Sequence, residues 1–262
     1  MSLDADTIAR LAEELAEADR THGVIPRITA RHPEATVEDS YAIQGVWRDR
    51  MIASGRRLVG RKIGLTSKAM QQATGITEPD YGVMFDDTVY SSGAEIPVDH
   101  FSNVRVEVEL AFVLKEPLEG PGATLDDALR ATDYVVPALE ILNSHIELEG
   151  RTIVDTISDN AAYGAMVLGD TRRRPDEIDL RWVPGVLFKN GEVEETGVAA
   201  GVLGHPATGV AWLADKFHQH GGRLEAGEVI LAGSFTRPVW VGRGDDVLCD
   251  YGPMGTISCR FI

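Results

Sequence analysis

The periodicity of the apolar residues changes once along this chain, near Leu58, and that change limits what it can fold into. Ahead of it, Ile8, Leu11 and Leu15 recur at helical spacing, with Gly23 as a stop. Thr36 and Asp39 have the spacing of a capping box. Val37, Tyr41, Val46, Trp47 and Met51 form an apolar stripe behind it, closed by Gly55. Beyond Leu58, short apolar runs alternate with glycine, proline and acidic turns. The spacing predicts strands over 58–63, 104–114, 134–142, 165–168, 181–189, 229–232, 246–250 and 256–262. Asn190-Gly191 between Phe188 and Val193 predicts a hairpin, and Pro253-Met254-Gly255 another turn. Helices are expected over 124–131 and 206–218, the second with proline in its first turn. The expected class is α+β: an N-terminal helical region, residues 1–57, and a strand-rich body, residues 58–262, integrated as one domain around a large mixed sheet.

Composition narrows the classes of function. The chain has 262 residues, enough for one sizeable core. Its 25 Lys and Arg against 41 Asp and Glu leave a formal charge of -16, a poor match for nucleic acid or anionic membranes. An anionic substrate must therefore find a local positive pocket. Asp4 and Asp6 stand where a secretory leader would be basic and apolar, and the long apolar stretch 197–214 is broken by His205 and Pro206. A cytoplasmic chain with no membrane span is expected. Cys249 and Cys259, the two cysteines, are expected to be reduced and to pack as small hydrophobes. The segment 60–67 lacks the order of a phosphate loop, and neither Gly-x-Ser-x-Gly nor His-Glu-x-x-His occurs. The seven histidines show no ligand spacing.

The segment Arg105-Val106-Glu107-Val108-Glu109-Leu110 carries the chemistry. On a strand, alternate residues share a face, so Glu107 and Glu109 project together while Val106, Val108 and Leu110 point the other way. Glu140 stands alone in the apolar run 134–142. Two readings fit. In one, the three carboxylates face solvent on their strands. In the other, they are buried, and a hard divalent cation offsets their repulsion and desolvation. Three such ligands leave octahedral positions open for water and substrate. Lys62 reads equally as a surface lysine, Ser158 as a helix cap, and Pro79-Asp80-Tyr81-Gly82 as a turn.

A set of motifs, in order along nearly the whole chain, resembles the hydratase and decarboxylase branch of the fumarylacetoacetate-hydrolase-like superfamily. They are Gly60-Arg61-Lys62-Ile63-Gly64-Leu65-Thr66-Ser67-Lys68, Glu78-Pro79-Asp80-Tyr81-Gly82, the Glu107/Glu109 strand, Asp133-Tyr134 through Glu140, and Asp155-Thr156-Ile157-Ser158-Asp159-Asn160. Glu194-Glu195-Thr196-Gly197, Gly233-Ser234-Phe235-Thr236-Arg237-Pro238 and Asp250-Tyr251-Gly252 follow. The resemblance implies a mixed sheet curled into a barrel-like roll, with the site at its mouth. It implies Glu107, Glu109 and Glu140 as ligands of Mg2+, or of Mn2+, and places Lys62, Asp80 and Ser158 among the catalytic groups. One departure is the loop 143–151, which is shorter than the branch pattern and bears on the length of substrate accepted.

The implied reaction is addition of water to a small anionic 2-oxo-alkenoic acid from aromatic meta-cleavage, with a seven-carbon dioate as the expected substrate. Arg105, Arg237 and Lys68 are candidates for its far carboxylate, because guanidinium groups grip carboxylates through two donors. A five-carbon dienoate hydratase and a 2-oxo-3-enedioate decarboxylase are alternatives, an acylpyruvate hydrolase is a more distant one, and a non-catalytic partner subunit is an alternative of another class. The resemblance further implies a homo-oligomer, a pentamer or decamer, working beside a pathway decarboxylase or aldolase.

Overall fold

The computed structural model describes residues 2–67, 71, 78–219 and 221–262. Helix α1 (Ala5–Thr21) starts at Asp4, whose side chain accepts from Thr7 N, and a short α2 (Ile28–Arg31) follows. α3 (Val37–Ala53) opens with the Thr36/Asp39 capping box. The apolar stripes of α1 and α3 bury Ile8, Leu11, Leu15, Ile43 and Trp47 against Val83 and Phe85 of strand β2 (Asp80–Phe85).

Strands β1 (Leu58–Gly64), β2, β3 (Val89–Ser91), β5 (Arg105–Leu114), β6 (Thr132–Leu142), β7 (Tyr163–Leu168), β10 (Val229–Leu231) and β11 (Val239–Trp240) form one sheet. Its order is β2-β1-β10-β5-β6-β7-β3, with β11 also on β5. The other sheet runs β4-β13-β12-β8-β9, from β4 (Ala94–Ile96), β8 (Pro184–Lys189), β9 (Glu192–Val198), β12 (Asp246–Asp250) and β13 (Thr256–Phe261). Both are mixed: β1/β10, β3/β7 and β4/β13 pair in parallel. Helices α4 (Leu125–Ala131), α5 (Ile153–Ser158) and α6 (Pro206–His218) complete the described elements. Among the described residues no helix is long and apolar enough to cross a membrane, and both cysteines are free and buried.

No closed barrel forms among the described residues. The reason lies in the two faces of β5 and β6. Val106, Val108, Leu110, Phe112, Leu139 and Ile141 pack with Val247, Cys249, Ile257 and Phe261 of the second sheet. Ala111, Val136 and Ala138 on the opposite face pack with Met84, Tyr163, Met166 and Leu231 of the first. The second sheet thus covers one face of the first instead of the first closing on itself.

Two local expectations change. The strand expected from Arg181 starts at Pro184, because Leu180–Trp182 forms a 3-10 turn. The turn composition at Pro79–Gly82 gives way to β2, which is buried at all six positions and antiparallel to β1. Asn160 helps fix that strand: its side chain accepts from Val83 N at 2.8 Å and donates to Val83 O at 2.9 Å, like a neighbouring strand residue.

Asp39 ties the chain start to α3. It is fully buried and accepts from the amides of Ser2, Leu3 and Thr36 and from both nearby hydroxyls. Burial opposes the charge, but these donors outweigh it and hold the carboxyl well below the usual range. A depressed folded-state value gives stability that is complete above the unfolded pKa of about 4 and lost as pH falls further. Asp39→Asn should cost about 1–3 kcal/mol at neutral pH. In denaturant titrations the gap from wild type should narrow below about pH 4; a constant gap would assign the loss to packing.

Candidate metal and substrate site

β5 puts Glu107 and Glu109 on one face, and its register with β6 sets Glu107 opposite Glu140. One oxygen from each of the three carboxylates lies within 4.8 Å of the others. Glu109 and Glu140 are fully buried, while Glu107 is partly exposed. Lys62 reaches the group from β1, its Nζ 3.3 Å from Glu140 Oε1. β10 lies between β1 and β5, and the register Lys62–Leu231–Ala111 brings the lysine to the carboxylate side. Asp80 pairs with Gly64 at the end of β2. A Cβ on Gly64 would sit 2.1 Å from Asp80 Oδ1 and 3.1 Å from Lys62 Nζ, so only glycine leaves room for the acid and the base together.

The cluster is short of positive charge and of hydrogen bonds. Both oxygens of Asp80, both of Glu140 and Oε1 of Glu109 are buried without a hydrogen-bond partner. The other Glu109 oxygen accepts from Gly233 N at 2.8 Å. Gly233 has φ +107°, and a Cβ there would lie 2.1 Å from Thr66 Oγ1. Burial, then the charge of Glu140, pushes Glu107 up to about 7 and drives Glu109 well above the carboxylate range. Burial also raises Asp80, against the pull of Lys62. Lys62 feels the same burial in the opposite sense, yet Glu140, Asp80, Glu107 and Glu109 together raise it, so it stays an ammonium.

Of the other residues expected at the site, Arg105 is on the same face, two positions before Glu107. Its Nη2 donates to Ser144 Oγ at 2.9 Å and its guanidinium lies over Trp240. Burial and the neighbouring Arg151 push it down to about 10. Arg237 does not join the site: its side chain is 79% exposed and its Nη2 is 2.6 Å from Glu195, because an outward arginine finds a carboxylate on β9 first. The Ser158 hydroxyl donates to Val154 O inside α5, and the residue lines a 740 Å³ cavity walled in part by α1 and α3. Lys68 lies outside the described residues. Beside Arg105 the structure brings Ser144 and Arg151, which sequence reasoning did not single out; both lie in the stretch 143–151.

The model for the C-terminal domain of fumarylacetoacetate hydrolase matches residues 56–262. The 2-oxo-hept-4-ene-1,7-dioate hydratase of Escherichia coli is 52% identical over 99% of each chain. This chain belongs to the fumarylacetoacetate hydrolase family. The 2-keto-4-pentenoate hydratase of Paraburkholderia xenovorans is 40% identical over 95% of this chain and 93% of its own. Among solved structures, 4-oxalocrotonate decarboxylase of Pseudomonas putida G7, complexed with magnesium and adipate, superimposes with a TM-score of 0.97. It is 35% identical over 100% of this chain and 99% of its own. These relatives place the chain in the hydratase and decarboxylase branch of the family.

The donor set fits a hard divalent cation: three converging carboxylates, orphaned oxygens and one nearby ammonium. The magnesium complex of the homologous decarboxylase supports a divalent metal in this branch. Without a cation, the stability tied to protonated Glu107 is present at low pH and lost as pH rises through about 7. A bound cation removes that penalty but must displace the proton first. The rise in melting temperature on adding saturating Mg2+ should therefore be small near pH 5 and grow towards about pH 8. A shift that does not vary with pH, read by differential scanning fluorimetry, would contradict a carboxylate site.

Proposed function

We propose that the chain is a magnesium-dependent hydratase that adds water to 2-oxohept-4-ene-1,7-dioate, or its 2-hydroxydienoate tautomer, giving 4-hydroxy-2-oxoheptane-1,7-dioate. The observation that carries this reading is the converging carboxylate trio with Lys62 and Asp80 beside it. The 52% identity with the hydratase of that name supports the choice of reaction, and the decarboxylase complexed with magnesium and adipate supports a metal and a dicarboxylate ligand.

Glu107, Glu109 and Glu140 would hold Mg2+, or Mn2+ in its place. Bound there, the ion supplies a Lewis acid for the 1-carboxylate and 2-oxo oxygens of the substrate. Lys62, with its Nζ 3.3 Å from Glu140, would place positive charge where negative charge develops on the 2-oxo oxygen. Asp80, raised by burial, holds a proton more readily than an exposed aspartate and can exchange it next to Lys62. In this reading Asp80 delivers a proton to C5 of the dienol as the 2-hydroxyl releases its own proton to solvent, giving the conjugated 3-ene. As a carboxylate Asp80 then takes a proton from the water that adds at C4, and solvent returns one proton to C3. The sum is one water gained, with no carbon lost. Arg105 faces the distal carboxylate. The reading also includes a cytoplasmic homo-oligomer acting beside a pathway decarboxylase or aldolase.

A decarboxylase is the second reading, favoured by the 0.97 TM-score to 4-oxalocrotonate decarboxylase. Following loss of the dienol chromophore together with carbon dioxide separates the two. We expect chromophore loss without carbon dioxide, and a fall of about 100-fold or more in turnover for Glu109→Gln. Stoichiometric carbon dioxide would assign decarboxylation. Full turnover in Glu109→Gln, or in thoroughly chelated enzyme, would remove the metal from the reaction.

A further inference from the structure

We infer that Arg105 and Arg151, joined through Ser144, form a clamp for the distal carboxylate and so select dicarboxylic over monocarboxylic 2-oxo acids. The inference rests on the 2-oxo acid reading above.

Two guanidinium groups converge on one neutral oxygen. Arg105 Nη2 donates to Ser144 Oγ at 2.9 Å and Arg151 Nη1 donates to the same atom at 2.8 Å. Like charges held this close call for an anion, yet among the described residues no carboxylate lies within the 4.0 Å of an ion pair with either. Arg105 Nε is buried with no partner. A carboxylate bound here would take that free donor together with the remaining donors of both forks.

The framework around the pair is built. Ser144 is fully buried and its carbonyl accepts from Asn103 Nδ2 at 2.9 Å. Next to Ser144, His145 N donates to Asp159 Oδ2 at 2.7 Å, and Arg27 Nη1 holds Gly150 O at 2.8 Å, just before Arg151. Trp240 backs the Arg105 guanidinium at 5.2 Å. Both arginines are therefore positioned by neighbours other than a counter-ion.

Distance along the strand sets the ligand. Arg105 and Glu107 share a face of β5, one pleat repeat of about 7 Å apart. A 2-oxo acid whose C1 end sits at the trio and whose chain runs along β5 reaches the arginines only if it has six or seven carbons. A five-carbon monoacid stops short and has no second charge to offer.

The test uses the magnesium-loaded protein and two non-reacting probes, adipate and pyruvate, by isothermal titration. Arg151→Gln should weaken adipate about 100-fold and change pyruvate by less than about 3-fold. Ser144→Ala should weaken adipate about 10-fold. In turnover, kcat/KM for the seven-carbon dioate should fall mainly through KM, while a five-carbon 2-hydroxydienoate should be little affected. Equal losses for both probes, or none for either, would overturn the clamp. If Arg151→Gln does not fold, Arg151→Lys gives the same comparison with a smaller adipate loss, and an unchanged adipate-to-pyruvate ratio would overturn the clamp. Arg151-dependent adipate binding in a protein that hydrates neither acid would sink the hydratase reading and leave the clamp standing.

Discussion

Repulsion among three carboxylates on one face of a buried sheet is the constraint on which the rest of the site depends. At 4.8 Å, a pair of full charges repels by about 3 kcal/mol at an effective dielectric constant of about 20, before any desolvation is counted. The chain does little to relieve this with its own groups. One amide, from Gly233, reaches Glu109, and one ammonium, from Lys62, reaches Glu140. Glu109 Oε1 and both Glu140 oxygens are buried without a hydrogen-bond partner. Such an arrangement has the donor set that suits a hard divalent cation.

The architecture tolerates the cluster because the opposite face is so well packed. Val106, Val108, Leu110 and Phe112 alternate with the acids and bury against the second sheet, which pins the register of β5. Slippage by one residue would send both glutamates into that core. Tyr251, fully buried, donates from its hydroxyl to Ala138 O at 2.5 Å and ties the second sheet to β6 two residues before Glu140. Glycines at 64 and 233 then let Asp80, Lys62 and the Gly233 amide come closer than any side chain would allow.

Much of this was legible in the sequence where a pattern is local. The capping box at Thr36, the stripe through Trp47, the Asn190-Gly191 hairpin and the alternation across Val106–Leu110 each specify their structure over a few residues. Alternation alone left the face of Glu107 and Glu109 undecided; burial of both faces of β5 encloses Glu109 fully and Glu107 in part. Strand β2 was hidden because Pro79, Asp80 and Gly82 have the chemistry of a turn, and pairing with β1 overrides that preference. Arg151 was hidden for a different reason. Its meaning comes from Ser144 and Arg105, and only the fold brings the three together. Arg237 was misplaced because charge and motif position say nothing about whether Glu195 will capture it.

Anomalous diffraction from crystals soaked with Mn2+ tests the central claim most directly. The account predicts one strong anomalous peak bounded by carboxylate oxygens of Glu107, Glu109 and Glu140, with Lys62 and Asp80 beside it. A peak elsewhere with the trio empty, or the three side chains splayed apart into solvent, would contradict it.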